Sequence, residues 1–530
     1  MGYRGQTHGI DFARGGFSFD QNIDKIPITA MVEGTKNINL HKGGRSKRGG
    51  TSHVNGTVIT GTPRIWGLYQ FRLQNGTEFI LTATSDGKIQ KNYNTELKTG
   101  LTIDRPVHFI TFNNMCVICT GNDLPQIWDG AAGSTADIVN EATDWAGGNY
   151  PRKMIIHGRG ASERLWAING KTDPNTVYAS AENPGDGSTE PDFVTGVLTF
   201  YIDTGDGHGI VNGAEYGDRI ILAGKSWTYI IDDTDSDTSK WGYNKAQWGG
   251  GTATDKTFVQ VTNDIISMTE DGTVYSVTAA QNYGDYKQAT LTRASFIDEY
   301  IREKMKLSAI GDFHVIYDPV LRCINFFVIR ANQTDIDTAL VYFIDRGPEE
   351  GWVIKDNINS DSGFKASCSA LVRKAVGDFK IYTGGMGDGY VWELETSTHN
   401  DNSEAYSSGF KTPRGHLGDP RVTKRFDQGR ILVDAKGPYN LLVDFWVDGS
   451  YVGQETISLA GIGSTYGGGT TYGADGSAGT YGGGEVIEVA FPIKKVGLRI
   501  EYHIFNNNVD EDFFISQLLT DFKPLSRMAS

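Results

Sequence analysis

The stretch YQFRLQNGTEFIL, residues 69–81, governs how the rest of the chain is read. Tyr69, Phe71 and Leu73 alternate with polar neighbours up to Asn75-Gly76, and Phe79 and Leu81 alternate away from it. A period of two on both sides of an Asn-Gly pair marks an antiparallel hairpin. A type I′ turn is expected there, since Asn and Gly tolerate the positive φ it needs at both central positions. Asn169-Gly170, Asn212-Gly213, Asp271-Gly272, Asp388-Gly389 and Asp448-Gly449 punctuate the chain in the same way. Helical patterning is confined to residues 295–306. Ser295 is placed there as a cap, and Asp298 and Glu299 fall in the first turn. Phe296, Ile297, Tyr300, Ile301 and Met305 share one apolar face. The chain is expected to be all-β.

Outward from the hairpin, apolar strands that follow a turn recur. They read DGKIQKNY from Asp86, LPQIWDG from Leu124, NTVYAS from Asn175, KSWTYIID from Lys225, DGTVYSV from Asp271, ALVYFID from Ala339 and DGYVWELE from Asp388. The first and last lie 302 residues apart, a mean step of about 50, which matches one four-stranded propeller blade. The expectation is a β-propeller of about seven blades over residues 67–400, with two stacked sandwiches as the other arrangement such strands allow. Residues 401–530 differ, with strand patterns at 430–433, 441–447, 454–459, 486–491 and 497–504 that predict a smaller β-sandwich. Between two of these strands, residues 461–484 hold 11 glycines and repeat TYGGG at 465–469 and 480–484. Such a segment builds no core and reads as a loop or hairpin extension. Its Tyr466, Tyr472 and Tyr481 are amphipathic anchors, which makes it a candidate channel or docking loop beside the plainer reading of a surface loop. Residues 1–66, with Gly-Gly pairs at 15–16, 43–44 and 49–50, read as an extended N-terminal arm crossing the surface.

The 530 residues include 67 glycines but 15 prolines, a balance that favours ordered tight turns over extended linkers. Four cysteines are too few for a disulfide scaffold, and no apolar leader or membrane-length run is visible. The expectation is a soluble protein made in a cytoplasm. The net charge of −15 opposes general binding to nucleic acid, yet residues 1–66 carry nine Lys and Arg against four Asp and Glu. Lys42, Arg45, Lys47 and Arg48 concentrate that excess. They are candidate contacts to nucleic acid phosphates or, on so acidic a protein, to an acidic neighbouring subunit; a solvated loop is the alternative.

Patterns for chemistry are sparse. Cys116-Val-Ile-Cys119 has metal-like spacing, but on a strand residues three apart face opposite ways, so buried free thiols are expected. Asp233, Asp235 and Asp237 resemble the opening of a calcium loop. Thr238 replaces its glycine and Asn244 its closing glutamate, so a solvated acidic loop is expected. No HExxH, GxSxG or phosphate-binding loop is present, and Trp128-Asp129 is the only Trp-Asp pair. No catalytic, cofactor or metal residue is assigned. The chain is expected not to be an enzyme.

An ordered set of short patterns resembles the tail nozzle, or tail hub, proteins of short-tailed bacteriophages, also described as packaged-DNA stabilisation proteins. It runs from Ile26-Pro27, Asn37 and Asn39 into GGRSKRGG at 43–50, then RLW at 164–166 and TVYASAENPGD at 176–186. DRIILAGKSWTYI at 218–230, WGGGT at 248–252 and DIISMTEDGTVY at 264–275 follow, then the helix, residues 315–352 and the C-terminal region. The glycine-rich insert 461–484 departs from the family pattern. The resemblance implies a structural virion protein of the phage tail, a hexameric ring below the portal and its adaptor (the head-to-tail connector). Such a ring extends the DNA channel, retains packaged double-stranded DNA without sequence-specific binding, and docks tail fibres, spikes or a needle. An acidic wall suits DNA ejection, because fixed cations would bind each passing phosphate.

The competing reading is a carbohydrate-binding or carbohydrate-active propeller acting as a receptor-binding tail component. Trp166, Trp227, Trp241, Trp248 and Trp392 near strand ends would supply stacking faces for sugars. A cytoplasmic scaffold of the ordinary propeller type is the third.

Overall fold

The computed structural model describes residues 5–19, 25–158, 162–205, 207–246, 250–262, 264–278, 290–356, 366–460 and 486–527. Tyr466, Tyr472 and Tyr481 lie outside the described residues, as does Trp248. The chain is mostly strand, arranged in many small antiparallel sheets.

Among the described residues, seven of these sheets follow one another along the sequence, and within each the strands pair as an up-and-down meander. Sheet A takes Ile65–Arg72, Glu78–Thr84, Lys88–Lys91 and Thr95–Lys98; sheet B takes His108–Phe112, Met115–Cys119, Gln126–Trp128 and Ala136–Asp137. Sheet C takes Pro151–His157, Arg164–Gly170, Thr176–Glu182 and Leu198–Tyr201; sheet D takes Asn212–Tyr216, Arg219–Ala223, Thr228–Asp232 and Gly242–Lys245. Sheet E has Phe258–Val261, Asp264–Met268 and Val274–Ser276; sheet F has His314–Asp318, Cys323–Val328, Thr338–Phe343 and Trp352–Asp356. Sheet G takes Cys368–Ala375, Asp378–Gly384 and Val391–Thr396, and its fourth strand is Gly50–His53, drawn from before sheet A. The seven recurrent stretches of the sequence supply the third strand of each sheet in turn.

The first strand of each sheet lies against the first strand of the next. Cys368–Ala375 of sheet G lies against Ile65–Arg72 of sheet A, so the seven first strands close a circle. The core sits between neighbouring sheets. Phe71 and Leu81 of sheet A pack with Cys116 and Trp128 of sheet B, while Val117 and Cys119 face sheet C. The four cysteines are buried free thiols, and Cys116 and Cys119 belong to these opposite faces.

Turn chemistry differs from expectation at the opening hairpin. Phe71 pairs with Phe79, and the Leu73 amide donates to the Thr77 carbonyl. The Gly76 amide donates back to Leu73, and only Gly76, at φ 87°, is left-handed. The loop is therefore three residues long with glycine at the bulge, not type I′. The two-residue form occurs at Asp448-Gly449, where φ is 51° and 80° and Val447 pairs with Ser450. The helix is shorter than its pattern, Ile297–Lys304. Ser295 does not cap it, since Phe296 takes the N-cap position at φ 59° and its side chain is exposed. Ile297, Tyr300, Ile301 and Met305 are buried as expected.

Two further sheets follow. Sheet H runs Ser408–Lys411, Ile500–Asn506, Asn440–Val447, Ser450–Ser458 in order of pairing. Sheet I runs Ile38–His41, Gly44–Lys47, Phe514–Arg527, Val422–Asp434, Val486–Gly497, and Gln6–Asp11 also pairs with Phe514–Arg527. They meet through Phe445 and Phe491, whose rings are 6.0 Å apart, and through the Tyr502 and Thr520 hydroxyls at 2.8 Å.

The first 66 residues do not cross the surface as an arm. They contribute three strands to sheet I and one to sheet G, and bury Ile10, Phe12, Phe17, Ile38 and Leu40. The glycine pairs serve close approach: a Cβ at Gly44 would overlap the Ile515 carbonyl oxygen, and one at Gly50 that of Asn400.

Candidate functional site

The basic segment lies where sheets F and G meet sheets H and I. Lys42 is exposed in the turn between Ile38–His41 and Gly44–Lys47, whereas Arg45, Lys47 and Arg48 are buried. Arg45 Nη2 donates to the carbonyls of Arg14, Gly15 and Thr29 at 2.9, 3.0 and 2.5 Å, and its guanidinium lies between Phe12 and Phe410. Burial pushes its pKa down to about 9, with the charge of Arg346 adding, so it remains protonated at neutral pH. Lys47 Nζ donates to Asn506 Oδ1 at 3.0 Å and to the Asn508 carbonyl at 2.9 Å. Burial and then the adjacent Arg48 push it down to about 8.

Arg48 grips Asp401 with both nitrogens of its fork, Nη1 to Oδ1 at 2.9 Å and Nη2 to Oδ2 at 2.6 Å. Its Nε donates to Asn37 Oδ1 at 3.0 Å, and the Tyr406 ring lies 3.9 Å away. Burial works against the Arg48 charge, but Asp401 outweighs it and holds the pKa above the ordinary value. The expected role for Arg45, Lys47 and Arg48 as contacts to phosphate or to another subunit is thus corrected. A hairpin covered on both sides buries odd and even positions alike, and these three cations are consumed in joining the chain to itself.

The acidic loop is held internally as well. His157 Nε2 lies 3.1 Å from Asp233, and its Nδ1 is 3.4 Å from Glu215. Asp235 faces Lys240 at 3.4 Å, and Asp237 accepts from the Ser239 amide. Among the described residues, no group of three or more His, Cys, Asp or Glu is arranged to hold a metal ion.

Trp166, Trp227 and Trp392 are buried in their sheets and offer no open face to a sugar; Trp241 is half-buried, with its ring 6.0 Å from that of Trp166.

Sequence spacing missed a cavity of about 220 Å³ on the axis of the circle, lined by first strands of sheets A, B, C, E, F and G. Trp66, His108, Arg152, Lys153, Lys256 and His314 converge there, and Asp255 is the one acidic residue in the lining. Burial pushes Lys153 down to about 8 and lowers Lys256. His108 is pushed down to about 3 by burial and by Lys153, and is neutral at ordinary pH. Its Nε2, facing the Met154 carbonyl at 3.0 Å, must carry the proton, because a carbonyl only accepts. His314 is held well below the usual histidine range by burial and by Lys256. At the mouth, Arg64 pairs with Asp312 at 2.9 Å and stacks over Trp66. The lining residues come from six sheets and run from Trp66 to Ser369, and Arg64 and Asp312 are themselves 248 positions apart, so no local motif could have signalled them.

The fold and these sites define a mostly β chain with a lysine-lined axial cavity and an internal basic staple. No family model matches the chain, and no curated protein matches it at a significant level. Among solved structures, the computationally designed Ika8 protein is similar at 13% identity over 64% of this chain and 98% of its own, with a TM-score of 0.34. A likeness that low carries no argument.

Proposed function

We propose that the chain is a seven-bladed β-propeller with a C-terminal β-sandwich, and that it serves as the tail nozzle or hub of a short-tailed bacteriophage. Six copies would form a ring below the portal and adaptor that prolongs the DNA channel, retains packaged DNA and docks fibres, spikes or a needle. The propeller reading rests on the circle of first strands from sheet A to sheet G.

The observation that favours a structural role is the double fastening of the chain's start. Gly50–His53 completes the last sheet of the circle, and the preceding strands are built into sheet I. A latch of this kind makes the circle's opening depend on breaking strand pairs at two places, as suits a body under load from packaged DNA. Burial removes Asp401, Asp356 and Glu501 from the surface as well as Arg45, Lys47 and Arg48, so the exterior keeps the acidic balance of the net charge of −15. An acidic wall repels DNA phosphates and lets them pass.

The test is quantitative mass spectrometry of purified phage particles, with this chain counted against the portal protein. About six copies for a twelve-fold portal is the expected result, in line with closed cyclic symmetry. Absence from particles would overturn the virion reading, and a count well above six would move the chain to a spike or fibre.

A further inference from the structure

We propose that the axial cavity is a binding site for a tetrahedral oxyanion of the phosphate class, either free phosphate or the phosphate of a small monoester. The inference rests on the circle of sheets and not on the tail reading.

Three cations line a half-buried space that contains one carboxylate. Arg152 has no ion pair among the described residues. Lys153 Nζ reaches only the Asp255 carbonyl, at 3.5 Å, and Lys256 Nζ the Asp312 carbonyl, at 3.3 Å. Holding like charges together away from water is costly unless an opposite charge offsets them.

Two further polar groups belong to the lining. Trp66 Nε1 is buried without a partner. His314 is 4% exposed and stacked on Phe327 at 4.6 Å; its ring nitrogens make no close side-chain hydrogen bond, and the Asp312 backbone is the polar group nearest to them. Asp255 acts on both lysines and Asp312 on Lys256, yet the two lysines still share the lining with Trp66 Nε1, a donor without a partner that a bound anion would satisfy.

The direction of the donors favours a tetrahedral ion. They come from sheet A through Trp66, sheet C through Lys153, the entry to sheet E through Lys256, and sheet F through His314, while Arg152, next to Lys153 on the strand, runs along Gly121 at the rim. Four oxygens can meet donors on several sides, whereas a planar carboxylate presents two on one side. The space of about 220 Å³ far exceeds the roughly 10–15 Å³ that one water needs on the same measure, enough for phosphate with its first waters or a small phosphomonoester.

The experiment is calorimetric titration of the full chain with inorganic phosphate near pH 7 at fixed ionic strength. The expected result is saturable binding of one phosphate per chain, competed by sulfate and not by acetate. Lys153→Gln and Lys256→Gln should each weaken it by about tenfold or more, the worth of one charge-assisted hydrogen bond, while Lys42→Gln leaves it unchanged. Tighter binding of glycerol phosphate than of phosphate would assign the monoester as ligand, and the reverse order free phosphate. Three results overturn the proposal: no saturable heat up to roughly 10 mM phosphate, which would fill any site of about 1 mM or tighter; acetate binding as well as phosphate; or binding indifferent to both substitutions.

Should either variant fail to fold, sulfate binding to the unaltered protein decides, because sulfate does not titrate in this range. Lys153, near 8, is acted on by Asp255 and lies beside the neutral His108; Arg152, Lys256 and His314 share the cavity lining with it. Its deprotonation between about pH 7 and about pH 9 should weaken sulfate binding several-fold. A flat profile overturns the proposal.

Discussion

At the scale of single residues, Arg48 and Asp401 show how a charge can be fixed inside a protein. Both are buried, at 2% and 1% exposure, and the pair is bidentate. Removing one partner strands the other, which costs about 3–5 kcal/mol for a buried pair. Asp401→Ala should therefore lower the unfolding temperature sharply, while Lys42→Ala, at an exposed position, should stay within about 0.5 kcal/mol of the unaltered protein. Thermal scans of the two variants side by side test this, and equal transitions would refute the staple. His157 makes a second prediction, on pH. Burial opposes its charge, but the Asp233 hydrogen bond, with the charges of Asp233 and Glu215, raises its pKa above 6.5. The folded state thus binds the proton more tightly than the unfolded chain, whose histidine titrates near 6.5. Its contribution is complete below the unfolded value and disappears as pH rises through the folded one. The stability difference between the unaltered protein and His157→Gln should be largest near pH 6 and shrink toward pH 8. A difference that grows with pH would contradict the assignment.

At the scale of elements, what the sequence made legible was the strand that packs on both faces. The seven recurrent stretches were readable because third strands carry continuous apolar runs, as in Thr338–Phe343, where every residue is buried. First strands were less legible. In His314–Asp318 the apolar middle residues are only half-buried, polar residues sit at both ends, and His314 and Val315 line the axial cavity. Phe514–Arg527, the strand that organises sheet I, escaped notice. It carries Asp521, Lys523 and Pro524, and its pairing with Val422–Asp434 shifts register three times. Bulges of that kind erase the period of two on which strand recognition depends. Ser295 misled for another reason. Its spacing suits a cap, but Phe296 adopts the left-handed conformation and starts the helix a residue later than the pattern predicts. The axial cavity was invisible because its residues are brought together by closure of a circle, a property of no single element. The basic segment was visible as charge, but its burial depends on pairing with strands more than 450 residues away.

At the scale of the whole molecule, the question is whether the C-terminal sheets form an independent body. One continuous core argues that they do not. It runs from Ile10, Phe12, Ile38 and Leu40 through Phe326 and Trp352 of sheet F to Phe426, Phe445 and Phe522. Phe12 meets Phe410 edge-on at 4.7 Å, and Arg45 lies over the same Phe410 ring. A fragment of residues 401–530 would lose Gln6–Asp11 and Gly44–Lys47 from the flanks of Phe514–Arg527. That would open the backbone edge of its longest strand and uncover the apolar face beneath. Expressed alone, the fragment should aggregate or give a poorly dispersed amide spectrum. Expressed with residues 1–66, which return both strands and the partner of Asp401, it should give a dispersed spectrum and stay in solution. If 401–530 alone unfolds cooperatively with native-like dispersion, the N-terminal strands are decoration on a self-sufficient body. The latch would then contribute to closing the circle but not to joining its two parts.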